Sequence, residues 1–274
     1  MKGGRRVQRS RYTMALVLAF LSCLETTGRS EDVPSVAADH PPSISLSPAV
    51  VEVKAKPGQT FSHELTLWNN TLQELQFRME ARDVVVRDGK RVFIPSGEIA
   101  GGIARNAMFS EQEVVVKPAS FAAVKLTVTI PESPAPRAIA CIFMGKTIMG
   151  AKNALTMTGS LGTLVTFTLA NDFQVESQPL DISVDDDVRS VTFRQRLKNT
   201  GSDPVVPKGV VAVTNEKGHL VERLPVSGHR LLPGESLELQ AEHAGALQMG
   251  KYKVMFLMEH ESAFFSNTGE FSIK

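Results

Sequence analysis

From Ile44 to the C-terminus the chain is a succession of short runs, apolar at alternate positions, each ended by Pro, Gly or Asn. Alternation at a period of two is the mark of a half-buried strand, and frequent turn residues keep such strands short. No long amphipathic helical period interrupts the series. The chain is therefore expected to be all-β: two tandem immunoglobulin-like β-sandwich domains behind a signal peptide.

The first series is Leu46 to Ala55, Phe61 to Trp68, Leu75 to Met79, Arg82 to Val86, Arg91 to Ile94, Glu113 to Lys117, Phe121 to Ile130, Ala138 to Met144 and Leu161 to Leu169. Phe61, His63, Leu65 and Leu67 share one face of their run, with Trp68 on the other. Asn69-Asn70-Thr71 predicts a turn, because Asn side chains bond their own backbone two residues on. Asp88-Gly89 predicts a tight hairpin. The second series runs Val175 to Val184, Ser190 to Lys198, Val210 to Thr214, His219 to Leu224, Ser236 to Ala241, Tyr252 to Met258 and Glu270 to Ile273. Asn199-Thr200-Gly201 is the counterpart of the first Asn turn, and in both halves a later strand is entered through a Pro-containing turn. This is duplication of architecture rather than of sequence. The expected boundaries are 44–170 and 171–274. Tyr252, after Leu247 and Gly250, has the spacing of a tyrosine corner, in which the phenol bonds back to the chain.

The N-terminus has three parts. Lys2, Arg5, Arg6, Arg9 and Arg11 precede an apolar run from Met14 to Leu24, and Thr26 and Gly28 follow as small residues for a peptidase. The run is about half of the roughly 20 residues that span a bilayer. Residues 1–28 are thus expected to be a signal peptide, and 29–43, rich in Pro, Ser and Asp, a disordered leader. Its removal shifts the formal charge from +1 to about −3, without a basic stripe, which argues against nucleic acid as partner. No later apolar run reaches transmembrane length. The expected location is the periplasm or the cell surface. Beyond residue 28 only Cys141 remains, among apolar neighbours, and reads as a small buried hydrophobe.

Catalytic, cofactor and metal constellations are not found. Gly159-Ser160-Leu161-Gly162 lacks the spacing of a nucleophile elbow. The six histidines have no paired-ligand spacing. Asp185-Asp186-Asp187 lacks the further ligands of a calcium loop and reads as a solvated connection. Glu259-His260-Glu261 reads as an exposed hairpin tip. No enzyme is expected, no cofactor and no metal. Trp68 is expected to pack under the next turn or between the domains. The Gly-rich segment Ala100 to Phe109, with Ile103, Met108 and Phe109, is a candidate binding loop.

Four stretches carry a family resemblance: Ser47 to Gln59, Leu65 to Thr71, Val115 to Pro131 and Gly159 to Leu169. Together they resemble the first domain of the PapD-like superfamily, and more closely that of WxL-interacting, peptidoglycan-binding surface proteins. Phe20-Leu21-Ser22-Cys23 is similar to a lipoprotein box, but Phe and Leu before Ser22 depart from its order and argue against a lipid anchor at Cys23. The resemblance implies an exported cell-envelope binding or scaffold protein. It would recognise an envelope protein or cell-wall polymer through loops and edge strands, without catalysis. The alternative it implies is a periplasmic chaperone donating a strand to secreted or pilus-type β subunits. That strand would be Leu161 to Leu169, presenting Leu161, Val165, Phe167 and Leu169.

Overall fold

The computed structural model describes residues 42–147, 158–185, 187, 190–245, 247–261 and 263–274. The signal peptide with Cys23, and all but the last two residues of the leader, lie outside the described residues. The described chain is almost wholly β, its one helical element being a 3-10 turn at Ala104–Asn106.

In the first half, β1 (Ile44–Ser47), β3 (Thr60–Asn69), β8 (Ser120–Thr129) and β6 (Ala107–Phe109) form one sheet in the order β1-β3-β8-β6. The facing sheet has the order β2-β10-β9-β4-β5, built from β2 (Val50–Lys54), β10 (Thr158–Thr168), β9 (Ala138–Thr147), β4 (Leu75–Arg87) and β5 (Lys90–Pro95), with β7 (Glu113–Val116) also on β4. The run expected as one strand from Leu46 to Ala55 is broken at Ser47-Pro48. The chain changes sheets there, pairing with β3 before the proline and, in parallel, with β10 after it. Between the sheets lie Leu65, Leu67, Phe77, Leu126, Phe143 and Phe167, all wholly buried. The Asp88-Gly89 hairpin forms, both residues taking positive φ of 51° and 72°.

The second half repeats the plan. β11 (Val175–Ser177), β12 (Asp181–Asp185), β13 (Ser190–Asn199) and β16 (Ser236–His243) make one sheet. β15 (Leu220–Ser227), β14 (Lys208–Asn215), β17 (Gly250–His260) and β18 (Ala263–Ile273) make the other, in that order. Phe193, Leu197, Val213, Phe256 and Met258 fill the core between them. The Tyr252 hydroxyl donates to the Gln248 carbonyl at 2.6 Å, so the tyrosine corner forms.

The two Asn turns are alike in atomic detail. The Asn69 Nδ2 donates to the carbonyls of Gln73, Val116 and Lys117. The Asn199 Nδ2 donates to those of Asp203 and Leu231. The two Oδ1 atoms accept the N–H of Thr71 and of Gly201, each two residues on and each at 3.0 Å. Each buried amide thus ties its turn to the Pro-containing entry of a later strand. An amide so fully committed is turn chemistry.

The second half closes on the first through apolar and ionic contacts. Leu232 packs on the outer face of the β10-β9-β4 sheet against Val84, Ala138 and Ala140. Arg91 pairs with Glu235 at 2.6 Å, Arg137 with Asp203 at 3.1 Å and Lys54 with Glu261 at 2.8 Å, while Arg230 pairs with Glu52. The Asp203 carboxylate, wholly buried, also accepts the N–H groups of Leu169, Ala170 and Asp172. Gly201 fits beneath this clamp because a Cβ there would lie 2.4 Å from the Asp172 carbonyl oxygen.

Candidate partner-binding site

β10 is paired with β9 in unbroken register from Thr158 to Thr166. Its other edge is only half covered. β2 pairs with Leu164 to Thr168, and β1 has left for the opposite sheet. The Leu164 N–H donates to Ala49 and the Thr168 carbonyl accepts from Ala55, so even-numbered residues direct their main-chain groups toward this edge. By the two-residue repeat, Thr158, Ser160 and Gly162 direct theirs the same way, where no strand among the described residues meets them.

Two hollows flank this half-strand. On the inner side, between β10 and β1, an apolar trough of about 470 Å³ is lined by Ile44, Leu72, Leu75, Phe77, Gly159 and Leu161, among others. On the outer side, Gln76, Arg78, Glu113, Met144 and Lys146 line a more polar groove. Leu72 stands at the trough with 93% of its surface exposed. Phe77, Gly145 and Gly159 form one cross-strand row. The Phe77 ring covers Gly145 so closely that a Cβ there would sit 2.5 Å from it, whereas a Cβ at Gly159 would meet nothing within 4 Å.

The residues singled out from the sequence fall in different places. Val165 and Phe167 are wholly buried in the first core, and their edge is covered by β2, so neither has a surface to offer. Leu161 and Leu169 are half-buried against the same core, and of the four expected residues only Leu161 lines the trough. Ile103 is core, held by Asp83, whose Oδ1 accepts the Ile103 and Ala104 N–H groups at 2.8 and 3.0 Å. Phe109 lies edge-on to Phe143. Met108 is exposed, on a different face from the trough. The Ala100 to Phe109 segment is accordingly an anchored part of the sandwich. Gly159, Ser160, Leu72 and Ile44 also line the trough and were not singled out as partner-binding residues; the signal was the run of small residues, Thr158-Gly159-Ser160, opening a strand.

Other expectations change with burial. Trp68 packs neither under the turn nor between the sandwiches. It lies on the outer face of β3 against Phe121, with ring centroids 4.7 Å apart and exposures of 41% and 56%. His260 is no exposed tip: it meets Phe173 edge-on at 4.6 Å and accepts the Val206 N–H at Nδ1. Burial holds its pKa below 6.5, with Arg230 and Lys54 acting the same way and Glu261 opposing. Burial alone pushes the Cys141 thiol up to about 12, which keeps it protonated and unreactive.

No protein-family model matches the sequence, and no curated protein matches it. Among solved structures, the class 5 fimbriae chaperone CfaA aligns over 85% of this chain and 99% of its own, with TM-score 0.41 and 10% identity. The CsuC–CsuE chaperone–tip adhesion subunit complex of Acinetobacter baumannii aligns over 83% and 97%, with TM-score 0.39 and 10% identity. A PapD-like domain of human CEP192 aligns over 47% and 87%, with TM-score 0.32 and 12% identity. These are similarities of β layout, shared by proteins of different kinds.

Proposed function

We propose that the protein is an exported, non-catalytic binding protein of a bacterial cell envelope that captures an extended segment of a secreted β-rich partner. The observation that carries this is the half-covered edge of β10. Unpaired main-chain groups on a strand end recruit another strand, giving affinity through the ladder and specificity through alternate side chains. The strand-pairing chaperone is thus the favoured form of the reading, with the protein presenting an edge rather than the side chains of Val165 and Phe167. The exposed Trp68–Phe121 pair favours a second reading, a scaffold that also touches an envelope polymer.

In-cell crosslinking of the C-terminally tagged protein, followed by mass spectrometry, tests both. Ser160→Pro removes an N–H directed at the open edge and not at β9. Recovery of one secreted β subunit from the parent, lost in Ser160→Pro, supports strand pairing. Recovery of a wall polymer or surface assembly unaffected by Ser160→Pro but lost in Trp68→Ala sinks it in favour of the scaffold.

A further inference from the structure

β18 (Ala263–Ile273) is the last strand of its sheet, and its side away from β17 meets no strand among the described residues. It pairs with β17 without a shift over all 11 residues, from Ile273 at Gly250 to Ala263 at His260. The two-residue link between His260 and Ala263 makes the closing pair a hydrogen-bonded one. Odd-numbered residues therefore bond β17, and even-numbered ones turn their main chain outward. The Thr268 N–H agrees, being held at 3.0 Å by the Oδ1 of its neighbour Asn267. Side chains follow the same alternation: Phe271 and Ile273 are buried, while Phe264, Ser266, Thr268, Glu270 and Ser272 are exposed.

Apart from β10, the other sheet edges among the described residues are blunted. β1, β2, β6, β7 and β11 have five residues or fewer. β5 opens on Lys90-Arg91 and ends on Pro95, and β15 contains Pro225 and lies beside a register shift. β12 carries Asp181 and Asp185, and β16 carries Glu238 and Glu242. Shortness, proline, bulges and charge are the ordinary means of keeping edges from pairing. β18 has one charge, Glu270, and none of the others.

We propose that β18 is a self-association edge, occupied by β18 of a second copy in antiparallel register about Thr268. In that register Thr268 faces its own mate, Ser266 faces Glu270 and Phe264 faces Ser272. The outward pattern Phe-Ser-Thr-Glu-Ser is thus matched by its own reverse, and each large or charged side chain meets a small one. That self-match favours a second copy over a foreign strand. The main-chain groups of all five outward residues are satisfied on both strands, giving about ten ladder hydrogen bonds. Facing hydroxyls of the kind expected at Thr268 already join β3 to β8, Thr60 to Thr129 at 2.8 Å and Ser62 to Thr127 at 3.0 Å. An edge alone lies at the low end of interface sizes, so the dimer is a dissociable one in the micromolar range. It uses the second sandwich and leaves the β10 edge untouched, so it stands or falls apart from the strand-pairing reading.

Sedimentation velocity of the intact exported protein, from low to high micromolar concentration, tests this. The parent should pass reversibly from monomer to dimer. Thr268→Lys, at an exposed position, sets two cations on facing Cβ atoms about 5 Å apart and should weaken the dimer by on the order of fivefold. Thr268→Glu should do the same, and an equimolar mixture of the two variants should recover the parent's affinity. Thr268→Pro removes an N–H directed at the open edge and not at β17, and should abolish the dimer with the circular dichroism of the parent kept. A parent that stays monomeric throughout overturns the proposal. So does a dimer indifferent to the Thr268 variants, or one lost in Ser160→Pro, which assigns association to β10. Lys and Glu variants that stay weakened when mixed overturn the antiparallel register about Thr268. A monomeric parent that retains a foreign secreted protein, released in Thr268→Pro, gives the edge to another partner and overturns self-association.

Discussion

Asp203 is the residue whose loss is expected to uncouple the two sandwiches. Its side chain is wholly buried, and the Arg137 side chain beside it retains only 15% of its exposure. In Asp203→Ala the guanidinium loses the only carboxylate it meets among the described residues, and removing one member of a buried ion pair costs about 3–5 kcal/mol. Three linker N–H groups also lose their acceptor. Each would cost about 1–3 kcal/mol if left dry. Ala170 is exposed and Leu169 and Asp172 are half-exposed, so water recovers most of that. The expected loss is therefore about 4 kcal/mol, against about 2 kcal/mol for Asp203→Asn, which keeps one oxygen for the linker. Urea unfolding followed by far-UV circular dichroism and by fluorescence of Trp68, the one tryptophan, separates the halves. Circular dichroism reports both sandwiches and Trp68 only the first. The parent should show coincident transitions, and Asp203→Ala two that part. A loss below about 1 kcal/mol with coincident transitions would refute the clamp.

Three further outcomes follow from single environments. Burial raises the Asp83 pKa above 3.8, against the opposing N–H bonds from Ala104 and Ile103 and the charge of Arg105. The folded state then binds the extra proton, so stability falls as pH rises from 3.8 through the folded value. Asp83→Asn should flatten that slope in urea melts and gain about 1 kcal/mol at pH 7, because Oδ2 has no partner. His260, held below 6.5, gives the opposite sign: the unfolded chain binds its proton first, so stability drops as pH falls through 6.5 toward the folded value. Urea midpoints at pH 5 and 7.5 should differ less in His260→Asn. Gly145→Ala should lose about 2 kcal/mol in thermal unfolding, from its collision with Phe77, while Gly159→Ala should change stability by less than about 0.5 kcal/mol.

Strands and turns were legible wherever local chemistry decided them. The Asp88-Gly89 hairpin, the paired Asn turns and the Tyr252 corner each depend on a side chain or φ requirement within a few residues. The sheet switch at Pro48 was not, because both halves of Leu46 to Ala55 alternate and nothing local says which sheet each joins. The family resemblance offers Val165 and Phe167 as donor candidates on an alternating strand, and alternation describes a core-facing strand equally well. One signal was present and unused: Ala138-Ile139-Ala140-Cys141 does not alternate at all. Every residue of it is buried because the sheet is covered on both sides, by its own core and by Leu232. The trough is hardest to read, since it consists of what Gly159 lacks.

The contact around Leu232 bears on how such a chain can be recombined. Outer-face residues Val84, Ala138 and Ala140 are buried only because a second sandwich supplies Leu232, and Arg91 and Arg137 find their acids there as well. A first sandwich cut away near residue 170 would carry an apolar patch with unmatched cations around it, a surface prone to sticking. Grafting a different second sandwich would demand a leucine and two acids in the same places. The pair should therefore behave as one block, and gene fusions that split it should yield insoluble halves.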